Sequence, residues 1–273
     1  LFEAGESSDA IAAARRAVSL DADTWQHHLR LAYVSWGRER LFEAQKTLAL
    51  LPGYGLAHWL AATVHVARQA FDGAEKELRS GKAAQEALGT GATRLGAVGL
   101  FWLHGLVLLA RGDEAPALQA LERELAFESS GHRYAQECCA NAWYAIGAVR
   151  LRNDDVRGAQ DAFAETFRRV PGHLFATAAA AALNGGSEAR LRVEGAVNAA
   201  RSRGAIVDAA MAQAIDATLG GDPQRAAEIV GEALTAAPPG SAGWILPVDP
   251  ILDVGANPQI WAPPLEQLGL RAP

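Results

Sequence analysis

The chain has 273 residues, 50% of them hydrophobic and 21% charged, with a formal net charge of −6. That apolar fraction is too high for a disordered chain, and the acidic balance leaves no electrostatic footprint for nucleic acid. With 27 glycines and 12 prolines, the chain is not collagen-like or of low complexity. The two cysteines, Cys138 and Cys139, are adjacent and make no disulfide framework, which points to a reducing, cytoplasmic setting. The longest apolar stretch, Leu95–Ala110, falls short of the roughly 20 residues that a membrane-spanning helix needs, so no membrane insertion is expected. Lysine occurs only at 46, 76 and 82, beside abundant arginine and alanine, the bias of a GC-rich bacterial genome.

In chain order, helical periodicity broken by Gly, Pro and Asp predicts a first helix near Ser8–Leu20. Helix pairs follow near Thr24–Leu51, Leu56–Ala87, Ala92–Phe127, Arg133–Arg169, Leu174–Arg203 and Ala205–Ala236. The first helix has no partner, an expectation of further sequence upstream. Asp222 before Pro223 is a helix start, a side-chain cap followed by a ring with no amide to leave unpaired. Residues 239–273 differ in composition, with Trp244, Pro247, Pro250, Pro258, Trp261, Pro263 and Pro264, and suit turns with a small helix such as Pro264–Leu268.

One pattern recurs along this series. Ala is followed by an apolar residue four positions on, then usually by a small one three further: Ala10/Ala14/Ala17, Ala44/Leu48/Leu51, Ala74/Leu78/Gly81, Ala117/Leu121/Glu124, Ala159/Phe163/Thr166 and Ala226/Val230/Ala233. That spacing puts the three on one helical face, where the small residue admits a neighbouring backbone and the large one fills the space beside it. Ala10 and Ala44 lie 34 residues apart, the length of two helices and two turns. Ahead of the fifth copy stand Trp143, Ile146 and Gly147, and Pro171 closes it.

Trp143-x2-Ile146-Gly147 … Ala159-x3-Phe163 … Pro171 resembles the tetratricopeptide repeat family, and the resemblance covers about Glu6 to Pro238. It departs from the family pattern at Arg150, where Tyr is usual, and at Gln69, where Gly is. The resemblance implies an all-α, right-handed superhelical solenoid of stacked helix-turn-helix units over residues 1–238, with 239–273 as a Pro/Trp-rich C-terminal cap. It implies that the first helix of each pair lines a concave groove, whose residues here are His27, Leu31 and Val34, then Leu60, Val64 and Ala67, Trp102, Leu106 and Leu109, and Tyr144, Ala148 and Leu151. Arg68, Asn141 and Arg152 are the polar contributors. The tail also loosely resembles the ends of repeat regions in bacterial signalling and regulatory proteins.

No catalytic signature accompanies these features: there is no His-Glu-x2-His, no Gly-x-Ser-x-Gly and no phosphate-binding glycine loop. His58 and His65 share a helix side without a visible third ligand, His104 takes the place of a buried Leu, and neither a metal nor a cofactor is expected. His65 with Arg68, or His104 with Glu137, would be the pairs for an enzyme reading. The expected function is non-catalytic recognition of another polypeptide, or of an attached domain, in an apolar groove. Two other occupants stay open, a segment of the chain itself and a small apolar ligand, because an uncovered groove of this length exceeds what a monomer exposes.

Overall fold

The computed structural model describes residues 7–88, 99–130 and 134–273. Among them the chain is all-α, without strands. An unpaired helix, α1 (Ser7–Leu20), precedes six helix pairs. These are α2 (Trp25–Val34) with α3 (Gly37–Leu50), α4 (Gly55–Ala67) with α5 (Phe71–Leu88), α6 (Leu100–Ala110) with α7 (Glu114–Leu125), α8 (Ala135–Arg152) with α9 (Val156–Arg169), α10 (Leu174–Asn184) with α11 (Ser187–Ser202), and α12 (Ile206–Leu219) with α13 (Pro223–Ala236). Each helix packs on the next in sequence, and first helices touch from pair to pair, α2 on α4, α4 on α6, α6 on α8 and α10 on α12. This is the stack of two-helix units expected from the sequence. The predicted starts at Ala92 and Arg133 lie outside the described residues.

The recurring Ala sits at the interface inside each pair: Ala44, Ala74, Ala117, Ala159 and Ala226 are all inaccessible to solvent. Its partners include glycines on the facing helix. A Cβ on Gly105 would come within 2.8 Å of Leu121, and one on Gly147 within 2.5 Å of the Phe163 ring. The apolar residue four on is buried in five copies, whereas Leu48 is half-buried, as are Leu51 and Ala17 one step further along the pattern.

The turns repeat one device. The amides of Ala70, Asp113, Asp155, Ala205 and Asp222 each reach back five residues to a helical carbonyl, closing the helix end. That closure needs a left-handed residue just before, and Gly112, Gly204 and Gly221 supply it, but Gln69 (φ 56°) and Asp154 (φ 58°) take the same place in two turns. The side chain there costs about 1–2 kcal/mol of backbone strain. Helix starts are capped as the sequence predicts at Asp222, which accepts from the Arg225 amide at 2.9 Å. Asp155, read as part of a turn and helix start, accepts from that of Gly158 at 2.8 Å.

The fifth pair departs from the rest. It packs less closely on the fourth pair than the other pairs do on their neighbours, and α10 meets α12 more extensively than it meets α11. In α11 only Ala189, Val197 and Ala200 are buried, and Leu191 is exposed. This is why the Ala pattern fades between residues 174 and 203.

The tail contains one correction. Instead of a small helix over Pro264–Leu268, α14 (Pro258–Arg271) runs fourteen residues straight through Pro263 and Pro264. The two rings leave carbonyls one turn back without amide partners. The helix forms nonetheless because Trp261, Pro264, Leu265 and Leu268 are buried, and α14 packs against α13.

Two substitutions test this account by chemical denaturation. Gly147→Ala should destabilise the chain by about 1–3 kcal/mol despite the better helix propensity of Ala, because the buried Phe163 ring has little room to yield. Gln69→Gly should instead stabilise it by up to about 1 kcal/mol, through release of left-handed strain.

Candidate functional site

First helices α4, α6 and α8 form one wall in contact with the C-terminal segment, and one buried carboxylate sets its central part. Glu124, on α7, accepts from the amides of Gly99 (2.7 Å), Phe101 (3.0 Å) and Trp102 (3.0 Å), filling the N-terminus of α6. Burial raises its pKa, and the three amides pull it back down. The cap holds the start of α6, and with it the backbone of Trp102 on the wall.

The C-terminal segment occupies this wall. After α13 the chain turns back, and a single 3₁₀ turn at Leu246–Val248 rests on α4 and α6. The Trp244 indole stands edge-on to Trp59 of α4, with centroids 5.8 Å apart, and to Trp102 of α6, at 6.5 Å. Val248 belongs to the core of the middle pairs, while Leu246, Ile251, Leu252, Val254 and Trp261 belong to the core of the later ones. Trp244 and Ile245 pack against both.

Polar groups fix the segment's course. Asp249 is buried, and one of its oxygens accepts from the amides of Ile251 and Leu252, both at 3.0 Å, folding its own backbone into a turn. The Tyr144 hydroxyl of α8 donates to Asp249 Oδ2 at 3.2 Å. Arg152, also on α8, donates to the Pro250 carbonyl at 2.7 Å and lies 3.4 Å from the Asp253 carboxylate. Arg68, at the end of α4, donates to the carbonyls of Ala272 (2.7 Å) and Pro273. Arg271 donates to the Leu234, Ala237 and Pro238 carbonyls, closing the end of α13.

The groove residues expected from sequence fall as follows. Leu31, Leu60, Val64, Trp102, Leu106 and Tyr144 are buried, and His27 is half-buried. Trp102, Tyr144, Arg68 and Arg152 contact the tail directly. Asn141 does not. It accepts from His173 Nε2 at 2.8 Å, while His173 Nδ1 accepts from the Ala176 amide at 3.2 Å and caps α10. These two bonds set a neutral tautomer with the proton on Nε2. The His173 ring also lies 5.5 Å from that of Tyr144, which links the cap to the wall.

Asp249, Trp244, Trp59, Glu124 and His173 were not legible as site residues. The signals available were the Asp-Pro pair at 249–250 and a carboxylate at Glu124 on an otherwise small, buried face.

The remaining candidates have structural partners. His104, buried between α5 and α6, accepts from Lys82 Nζ at 2.7 Å and lies 3.8 Å from Glu75, so it pairs across to α5 and not with the exposed Glu137. Burial, then the Lys82 charge, lowers its pKa to about 4. His58 bonds Glu77 at 2.7 Å. His28 bonds Glu43 at 2.5 Å and the Ala22 carbonyl at 2.8 Å. The two cysteines are free and buried, and burial raises both thiols, Cys139 to about 11, so neither supplies a thiolate near neutral pH. Among the described residues no group of three or more His, Cys, Asp or Glu could hold a metal ion, and no helix is long and apolar enough to cross a membrane. Beside the tail, Gln69, Arg152, Asp253 and Pro258 line a cleft of about 130 Å³, well below the roughly 300 Å³ at which small-molecule pockets begin.

No family model matches the chain, and no curated protein sequence matches it. Among solved structures it is similar to one described as the crystal structure of the P58(IPK) TPR domain, at 12% sequence identity over 99% of this chain and 95% of that one. The TM-score of 0.27 is too low to bear on function.

Titration of the wall follows from burial. Burial raises the Asp249 carboxyl from 3.8 to about 6, against the pull of the Leu252 and Ile251 amides, Tyr144 and Arg152. The folded chain therefore holds a proton that the unfolded chain has lost between those values, and this group's contribution grows as pH falls through that window. Burial lowers His173 from 6.5 to about 4, so its contribution is complete above 6.5 and is lost as pH falls toward 4. Asp249→Asn retains an oxygen for the two amides and removes the charge. Its stability advantage over the wild type should be largest above pH 7, up to about 3 kcal/mol, and vanish by about pH 4 in denaturant titrations. His173→Asn retains a capping acceptor. It should remove up to about 3 kcal/mol of the wild-type stability loss between pH 7 and pH 4. Curves for either variant that parallel the wild type would contradict these assignments.

Proposed function

We propose that the chain is a non-catalytic scaffold whose concave wall binds a polypeptide. One observation carries this reading. The wall already holds a peptide segment, residues 243–252 of the same chain, through an indole seated between Trp59 and Trp102 and through side-chain bonds from Tyr144 and Arg152. An apolar floor with a few placed donors is the chemistry of a peptide groove. The arrangement gives no support to catalysis, since the buried ionisable groups each serve a cap, a turn or a helix contact. In this reading the unit belongs to a larger bacterial regulatory protein, and occupancy of the wall alters the placement of an attached domain. An incoming partner then either displaces the tail or uses a surface the tail leaves open.

A protease site placed between Gly240 and Ser241 of the full chain tests whether the wall binds peptide without a covalent tether. After cleavage the fragment from Ser241 onward should co-elute with the body at micromolar concentration, leave on dilution, and rebind when added back. A body that keeps its helical circular dichroism but does not recapture the fragment would overturn the reading. So would a body that unfolds on cutting at concentrations where the fragment is in excess.

A further inference from the structure

The seat of the tail identifies the chemistry the wall selects. Two anchors enter it from one short segment. Trp244 stands between indoles of α4 and α6, and Asp249, five residues later, meets the Tyr144 hydroxyl of α8. The spacing is set by the single turn of 3₁₀ helix at Leu246–Val248, which carries the chain from one first helix to another with Pro247 inside it. The carboxylate is presented by a turn of the ligand's own backbone, with Asp249 accepting from the Ile251 and Leu252 amides. Arg152 reads the carbonyl of the next residue, Pro250. The wall therefore offers three reading points: an aromatic slot between α4 and α6, and a hydroxyl donor and a guanidinium on α8.

The two anchors are not equally enclosed. Asp249 is buried, whereas Trp244 and Ile245 are half-buried at the edge where the segment leaves Gly243. Six residues, Pro238–Gly243, join that edge to the end of α13 and its C-cap. With α14 packed on α13 beyond it, the segment is tethered at both ends and has a local concentration in about the millimolar range, so a segment of the same chemistry from elsewhere competes poorly until the tethers or the indole anchor are loosened.

We propose that this wall recognises, in trans, a polypeptide segment bearing a tryptophan and, five residues further on, an Asp-Pro turn, and that the chain's own tail holds the site as a competitor in cis. The proposal rests on the peptide-binding reading above and adds the ligand's chemistry and its regulation. Displacement begins at the half-buried indole and ends with withdrawal of the buried carboxylate from Tyr144.

The test titrates a fluorescent peptide of residues 241–254 into the full-length chain, as wild type and as Trp244→Ala. The peptide should bind the Trp244→Ala chain at least about tenfold more tightly than the wild type, because the cis competitor has lost its indole. Peptides carrying Trp244→Ala or Asp249→Ala should each bind that chain at least about tenfold more weakly than the parent peptide. Equal affinity for the two chains, or indifference of binding to either peptide substitution, overturns the proposal. So does an absence of binding while the variant keeps the wild-type circular dichroism. Where Trp244→Ala does not fold, a chain with about 20 Gly/Ser residues inserted both after Gly240 and after Ala256 replaces it, since α14 tethers the segment from its other end. That chain keeps every anchor and lowers the tail's local concentration, so the same gain in peptide affinity is required. If the cleaved fragment of the earlier experiment rebinds but the peptides show no dependence on the two anchors, the wall binds peptide without this selectivity. If the fragment does not rebind, the peptide-binding reading fails with it.

Discussion

The structure depends on the contact between the C-terminal segment and the inner faces of α4, α6 and α8. Helix pairs of this kind cannot bury their apolar faces alone and gain stability from neighbours. Stacking satisfies the flanks of each pair but leaves the inner faces of the first helices oily. Here that surface is closed from within. Leu246, Val248, Ile251 and Leu252 are buried against it, and Trp244 and Ile245 pack against both the core of the middle pairs and that of the later ones.

This closure also compensates for the weakest joint in the stack. The fifth pair sits loosely on the fourth, and α11 contributes few buried side chains. The Tyr144 side chain bridges that joint, since its ring faces Phe163, His173 and Phe175 while its hydroxyl holds Asp249. One side chain on the wall therefore links the pair-to-pair interface to the tail.

The repeats were legible because each signal is local. Ala four residues before a large apolar residue marks a close helix approach whichever pair it belongs to, and Gly147 opposite Phe163 shows the fit that the spacing implies. The course of the tail was not legible. Asp249 meets Tyr144 across 105 residues of sequence, and no periodicity encodes a contact of that range. Composition marked residues 239–273 as different without saying where they lie. Glu124 was hidden for a related reason. It stands in a position filled elsewhere by small or apolar residues, and only the fold reveals the three amides it serves. The handedness of Gln69 was foreshadowed by its departure from glycine, though its strain is visible only in the backbone.

Arginines that bond backbone carbonyls recur in this chain. Arg40 donates to the carbonyls of Ala32, Tyr33 and Ser35 at the end of α2, as Arg271 does at the end of α13, and Arg68 and Arg152 grip the tail through carbonyls. A guanidinium bound to a peptide dipole loses little when mobile ions crowd the solvent, because no opposing full charge is there to be shielded. Raising ionic strength therefore loosens exposed pairs such as Arg15–Glu39, and the Arg152–Asp253 contact on the tail, while leaving the carbonyl bonds of Arg40 and Arg271 closed.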